Sequence, residues 1–189
     1  MHEPPLRVAA LMRGFPAPWF VVGGWAVDLY LGAVTRPHDD IEVGVFRADQ
    51  GALHSHFDGW ELRKADRGEL SPWRHGEFLL PPLHEIHCFN ESAEPPRLEV
   101  LLNERDGREW VYRRDARVRR SLDRCILDAG DGLKYLCPEA VLLYKSKDPR
   151  DKDERDFAAL AGRLGAERTA WLRRALAVCR PRHHWLKSL

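Results

Sequence analysis

A pair of glycines placed between an apolar run and a helical one, with two carboxylates fifteen residues further on, sets the strongest constraint on this chain. The stretch reads Val21-Val22-Gly23-Gly24-Trp25-Ala26-Val27-Asp28 and continues Thr35-Arg36-Pro37-His38-Asp39-Asp40-Ile41-Glu42-Val43. A Gly-Gly turn that opens a helix offers backbone N–H groups to an anion. The second apolar run carries Asp40 and Glu42 at i and i+2. In a strand these side chains share a face, roughly 6.5–7 Å apart along the backbone. Mg²⁺ binds protein mainly through one or two carboxylates plus substrate phosphates. One short segment therefore supplies both a phosphate cradle and a metal platform. Asp39 faces the other way in such a strand and reads as a turn or cap residue.

The remaining chain is compatible with a soluble enzyme of 189 residues, 44% hydrophobic and 31% charged. No apolar run approaches the ~20 residues of a membrane span. Met1-His2-Glu3-Pro4-Pro5 has neither a basic start nor a signal-like apolar stretch, which points to the cytoplasm and away from membrane partners. Cys88, Cys125, Cys137 and Cys179 are scattered and form no Cys-x-x-Cys pair, so buried free thiols are expected. His84, His87 and Cys88 lie close together, but no fourth ligand at normal zinc spacing accompanies them. The net charge is +1, unevenly placed: residues 163–189 carry seven Lys/Arg against one acid, Glu167. Such a segment reads as a solvated helix face, with phosphates or nucleic acid as the alternative.

Periodicity predicts a helix over 5–13, a strand over 19–22, a helix over 25–31 and a strand over 40–46 with Ile41, Val43 and Val45 opposite the carboxylates. A helix over 49–58 follows. Strands are expected at 60–65, 77–80, 85–90, 97–103 and 110–113, separated by Gly, Pro and Asp-Gly turns. A short apolar run, 133–136, ends at Cys137-Pro138. Pro138-Glu139 is a good helix start, and helices are expected over 139–147, 151–164 and 167–179, with Pro149 between the first two. The pattern predicts an α/β (α+β) fold: a mixed sheet flanked by helices over residues 1–137, and a helical C-terminal part, 138–189, packed on it.

Asp40 and Glu42 need a third partner to build a two-metal site. Glu99, embedded in Arg97-Leu98-Glu99-Val100-Leu101-Leu102, is the candidate, because a carboxylate among aliphatics is costly unless paired or metal-bound. Arg36 and His38 precede the strand, near where a triphosphate lies if the glycines hold it. The charged run Lys145 to Asp156 places Lys145 and Lys147 at one helix end and Lys152 at the start of the next. Lysines there oppose the helix dipole, which hints at an anion that balances them.

In this order the motifs resemble the polymerase-β-like nucleotidyltransferase superfamily. More closely, the chain is similar to its aminoglycoside 2''-adenylyltransferase and lincosamide nucleotidyltransferase group, from about Trp19 to Trp185. The resemblance rests on Gly23-Gly24-Trp25-Ala26-Val27-Asp28, on Thr35-Arg36-x-His38-x-Asp40-Ile41-Glu42 and on Leu98-Glu99-Val100-Leu101-Leu102. It extends to Pro138-Glu139 with Val141-Leu142-Leu143-Tyr144-Lys145, and to Lys152-Asp153-x-x-Asp156-Phe157. It implies Mg²⁺-dependent transfer of a nucleoside monophosphate such as AMP from ATP or another NTP to a hydroxyl, with pyrophosphate released. It implies that Asp40, Glu42 and Glu99 hold two Mg²⁺ ions. Glu99 is otherwise the base for the acceptor hydroxyl. Gly23 and Gly24 receive the phosphates, assisted by Arg36, Lys145, Lys147 and Lys152. Trp25 stands where many members carry Ser, and Glu42 where many carry Asp. The expected acceptor is a small hydroxylated antibiotic, an aminoglycoside or lincosamide, bound by a monomer or homodimer. The alternatives are an acceptor on tRNA or protein, which the basic C-terminal segment with Trp171, Trp185, His183 and His184 fits, and a catalytically silent nucleotide-binding module. A polycationic acceptor calls for an acidic cleft, for which Glu77, Glu85, Glu91, Glu94 and Glu104 are the available acids.

Overall fold

The computed structural model describes residues 3–189. Helix α1 (Glu3–Leu11) leads into β1 (Trp19–Val21), whose Phe20 and Val21 are fully buried. Helix α2 (Gly23–Leu31) follows at once, so both glycines lie in its first turn instead of preceding it. Strand β2 (Glu42–Phe46) starts two residues after Asp40. Helix α3 (Ala52–His56) leads to β3 (Glu61–Asp66), β4 (Glu69–Pro72), β5 (Glu85–Phe89) and β6 (Arg97–Asp106). Then come β7 (Glu109–Val111), β8 (Arg119–Ser121), α4 (Leu122–Cys125), β9 (Ile126–Asp128) and β10 (Lys134–Leu136). The chain ends with α5 (Pro138–Lys145), α6 (Asp151–Leu160) and α7 (Gly165–Cys179). None of these helices is long and apolar enough to cross a membrane.

The strands form one mixed sheet in the order β4-β3-β5-β6-β2-β1-β10-β9, with β7 and β8 branching from β6. Two pairings, β2 with β6 and β1 with β10, are parallel; the others are antiparallel. Alternation along β6 decides what faces the site. Leu98, Val100 and Leu102 are fully buried in the core, while Glu99, Leu101 and Asn103 take the other face. The β2 to β6 register sets Glu42 directly beside Glu99.

Two expectations fail. Residues 77–80 are not a strand, and the strand of that region is β4, at 69–72. Side chains have taken over the backbone of the 77–80 segment: Leu79 N–H donates to Gln50 Oε1 at 2.7 Å and Leu79 O accepts from Arg47 Nη1 at 2.9 Å. Leu79 is thereby pinned in the core while Phe78 and Leu80 point outward. Trp171 and Trp185, counted above toward a nucleic-acid surface, are both buried. Trp185 stacks on Phe157 at 4.4 Å and 5°, and its indole N–H donates to Glu154. Neither ring is open for a base to stack on.

Candidate active site

The described residues enclose a cavity of about 420 Å³ between the polar face of the sheet and the ends of α2, α5 and α6. Every residue singled out from the sequence for metal or phosphate lines it: Gly23, Gly24, Arg36, Asp40, Glu42, Glu99, Lys145, Lys147 and Lys152. These come from five separate elements and their flanks, so the convergence is a property of the fold.

The glycines are required by close approach. Gly23 has φ +64°, and a Cβ there would overlap the Glu42 carboxylate. A Cβ on Gly24 would run into Arg36 and His38. Among the described residues no side chain caps the start of α2, so the first-turn amides of these cavity-lining glycines are available to an anion. The loop before β2 is held by a buried carboxylate. Asp28, fully buried, accepts from Thr35 N (3.0 Å), Thr35 Oγ1 (2.6 Å) and His38 Nε2 (2.5 Å). Trp25 gives its indole N–H to the carbonyl of Asp40 at 3.1 Å and packs on His38 at 4.5 Å. A Ser at position 25 could not reach this carbonyl, so Trp25 exchanges a hydroxyl for a brace on the residue that carries the first carboxylate.

Glu42 carries the clearest electrostatic signal. Burial pushes its carboxyl up from 4.5 to about 7, and the charges of Asp40 and Glu99 push the same way, against Lys145. Three carboxylates crowded at one wall suit a hard divalent cation, and the Gly23 cradle leaves room for the longer Glu42 side chain. A cation must displace the Glu42 proton. Mg²⁺ affinity is therefore expected to rise with pH through about 7. The same shift acts on stability in the opposite direction. Folded Glu42 holds its proton more tightly than the unfolded chain does, so without metal this contribution is full below pH 4.5 and is lost as pH rises through about 7. Melting curves with and without Mg²⁺ check this: the metal-induced rise in Tm is larger at pH 8 than at pH 6, and Glu42→Gln removes the difference.

Glu99 has a second set of partners on its other side. Arg97 Nη2 bonds Glu99 Oε1, and Arg97 also touches His87 Nδ1 at 3.2 Å. His87, in register with Glu99 across β5 and β6, lies 3.5 Å from it and bonds Glu85 Oε1 through Nε2 at 2.6 Å. The donor atoms of Glu85, His87 and Glu99 lie within 4.8 Å of one another. His87 thus faces carboxylates, whereas Cys88 is buried on the opposite face with its thiol pKa raised by burial.

Lys145 sits between Asp153 (2.6 Å) and Asp156 (3.0 Å), and Arg36 is bidentate on Asp156 at 2.8 and 3.0 Å. These buried aspartates fix both cations at the cavity wall. Asp153 also accepts the Arg150 N–H at the start of α6. Of the five acids considered for a cationic acceptor, Glu85 alone lines the cavity. Glu77 pairs with Lys64, Glu94 with Arg7 and Glu104 with Arg47, and Glu91 is exposed. The sequence reading missed His84, Asn103, Arg113, Arg114 and Tyr144 as lining residues. Tyr144 alone had a signal, as the neighbour of Lys145 in a quoted motif.

A mixed sheet with a glycine-opened helix set against one carboxylate just before β2 and others on β2 and β6 defines the nucleotidyltransferase fold class. The chain belongs to the aminoglycoside-2''-adenylyltransferase family, whose model matches residues 6–160. It is 39% identical over 57 residues to the 2''-aminoglycoside nucleotidyltransferases of Escherichia coli and Klebsiella pneumoniae. That match covers 29% of this chain and spans only 32% of the length of each relative. The crystal structure of ANT(2")-Ia in complex with adenylyl-2"-tobramycin superposes with a TM-score of 0.60 and 19% identity, covering 92% of this chain and 94% of that one. The lincomycin-bound lincosamide adenylyltransferase LnuA gives a TM-score of 0.57 and 17% identity, covering 85% and 96%. At these identities the two structures establish the shared fold.

Proposed function

We propose that this protein transfers a nucleoside monophosphate, AMP first among the candidates, from a Mg²⁺-bound NTP to a hydroxyl of a small molecule, with release of pyrophosphate. The observation that carries the reading is the single cavity in which Asp40, Glu42 and Glu99 face the glycine-opened start of α2 and a set of fixed cations. Aminoglycosides and lincosamides are the first acceptors to test, since the relatives' names and bound ligands are of these kinds.

Asp40 and Glu42 would hold two metal ions in this reading. Mg²⁺, when bound, supplies positive charge to the phosphoryl oxygens on which negative charge develops. The amides of Gly23 and Gly24 bind the β- and γ-phosphates, with Arg36, Lys145, Lys147 and Lys152 around them. Glu99 either adds a third carboxylate to the metal site or accepts the proton of the attacking hydroxyl, a role worth about 10²–10⁴-fold when the base is within hydrogen-bond reach. The hydroxyl oxygen forms its bond to the α-phosphorus as the bond to the pyrophosphate oxygen breaks, and pyrophosphate leaves toward the lysines. Residues 1–137 act as the nucleotidyltransferase core, and residues 138–189 close the cavity with α5 and α6. The test is Mg²⁺-dependent pyrophosphate release from each of the four NTPs with a panel of both antibiotic classes, and Asp40→Asn as the blank. Release that needs an acceptor and Asp40 supports the reading; no nucleotide binding at all rejects it.

A further inference from the structure

The cavity has two ends. Sheet order runs β1, β2, β6, β5, so the glycine turn of α2 lies on one side of the carboxylates and β5 on the other. The far end follows β6 from Glu99 past Leu101 to Asn103 and is closed by His84, Arg113, Arg114 and Tyr144. His84 immediately precedes β5, and its carbonyl accepts from Leu102 N at 2.7 Å. Arg113 follows β7, which pairs with the distal part of β6 through Glu104 and Val111.

Charges at this end are not balanced. Among the arginines that line the cavity, Arg36 and Arg150 rest on carboxylates, and Arg114 gives Nη1 to the Tyr144 carbonyl at 2.8 Å. Arg113 makes no ion pair among the described residues. Its guanidinium lies over the Tyr144 ring, 5.1 Å from the centroid, with Arg114 at 5.4 Å from the same ring. Burial pushes the Arg113 pKa down. The Arg114 and Arg47 charges add to that, and only the Tyr144 and Tyr112 hydroxyls oppose them. The acids of this region already have partners: Glu85 bonds His87, Glu99 bonds Arg97 and Glu104 bonds Arg47. A partly desolvated guanidinium set over an aromatic ring, with other arginine charges near it, is costly until an anion meets it. Its fork geometry matches a carboxylate or a phosphate.

Resting on the reading of the cavity as a nucleotidyl-transfer site, we propose that its β5/β7 end is an acceptor subsite that binds an oxyanion through Arg113. The acceptor is then a hydroxylated molecule carrying a carboxylate or phosphate away from the reacting hydroxyl. Within the acceptor panel, molecules that carry such an anion are then expected to outperform uncharged or cationic ones.

The test uses the full chain with the donor end filled by Mg²⁺ and α,β-methylene-ATP, and titrates inorganic phosphate and acetate by calorimetry. Tighter binding of one over the other distinguishes the two oxyanion sources. Arg113→Gln is expected to weaken the preferred oxyanion about tenfold or more, and Arg113→Lys to recover part of that loss by charge alone. Oxyanion affinity equal in the parent and Arg113→Gln overturns the subsite, as does Arg113→Gln weakening Mg-nucleotide binding instead, because Arg113 then serves the donor. Failure of the nucleotide to bind counts against the proposed function alone. The same phosphate and acetate titrations in nucleotide-free protein then still decide the subsite by their dependence on Arg113.

Discussion

Asp40→Asn abolishes nucleotidyl transfer, with turnover falling on the order of 10³-fold, while the fold is unchanged. The size of the effect follows from removing one metal-binding charge at the point where phosphoryl charge develops. The neutrality for folding follows from where Asp40 sits. Its side chain is exposed at the cavity wall and makes no hydrogen bond among the described residues, while its backbone carbonyl is held by the Trp25 indole. Asparagine keeps the backbone, the size and the brace, so the stability change should stay within about 0.5 kcal/mol. Pyrophosphate release and a urea unfolding curve on the same preparation check both halves. Transfer at the parental rate would sink the assignment of Asp40.

The parts of this site that were legible in the sequence are those encoded locally. Gly23-Gly24, the i and i+2 acids and the embedded Glu99 each carry their signal within a few residues, and hydrophobic alternation then sets which face each acid takes. Proline punctuation at Pro138 and Pro149 likewise marked the C-terminal helices to within a few residues. What escaped depends on contacts distant in sequence. The 77–80 segment, Glu-Phe-Leu-Leu, is a short apolar run that reads as a strand, and the side chains that claim the Leu79 backbone, Gln50 and Arg47, lie about thirty residues upstream. The short elements β8, α4 and β9 carry too few residues for any period to show. Arg113 and His84 reach the cavity because β5, β6 and β7 bring them there, and nothing in their neighbours announces it. Asp28 stood in a recognised motif without a role, because its partners Thr35 and His38 become visible only when α2 folds back on the loop.

Arg120→Met is expected to destabilise the protein by about 3–5 kcal/mol, the usual cost of removing one member of a buried ion pair. Arg120 on β8 is nearly inaccessible, and its Nη2 meets Glu139 Oε1 at 2.6 Å and Glu167 Oε2 at 3.0 Å. Glu139 is fully buried in the first turn of α5, and Arg168 of α7 reaches it at 2.8 Å. The other Glu139 oxygen, Oε2, has no hydrogen-bond partner among the described residues, so this carboxylate depends on the two arginines. Arg120 also covers the Trp171 ring at 5.0 Å, and the Trp171 indole donates to the Arg119 carbonyl at 3.2 Å. One arginine therefore joins the sheet extension, α5 and α7, and α5 is the helix that carries Lys145 to the cavity. Without it, a carboxylate buried in the protein keeps only Arg168. The double variant Arg120→Met, Glu139→Leu separates the charge from the packing. Replacing the pair by apolar side chains of similar size removes the uncompensated charge, so most of the lost stability should return even though Arg168 then loses a partner. Urea unfolding of the parent and both variants measures this. A single variant within 1 kcal/mol of the parent, or a double variant no more stable than the single, would show that the β8 to α5 junction is held by its apolar contacts and not by the ion pair.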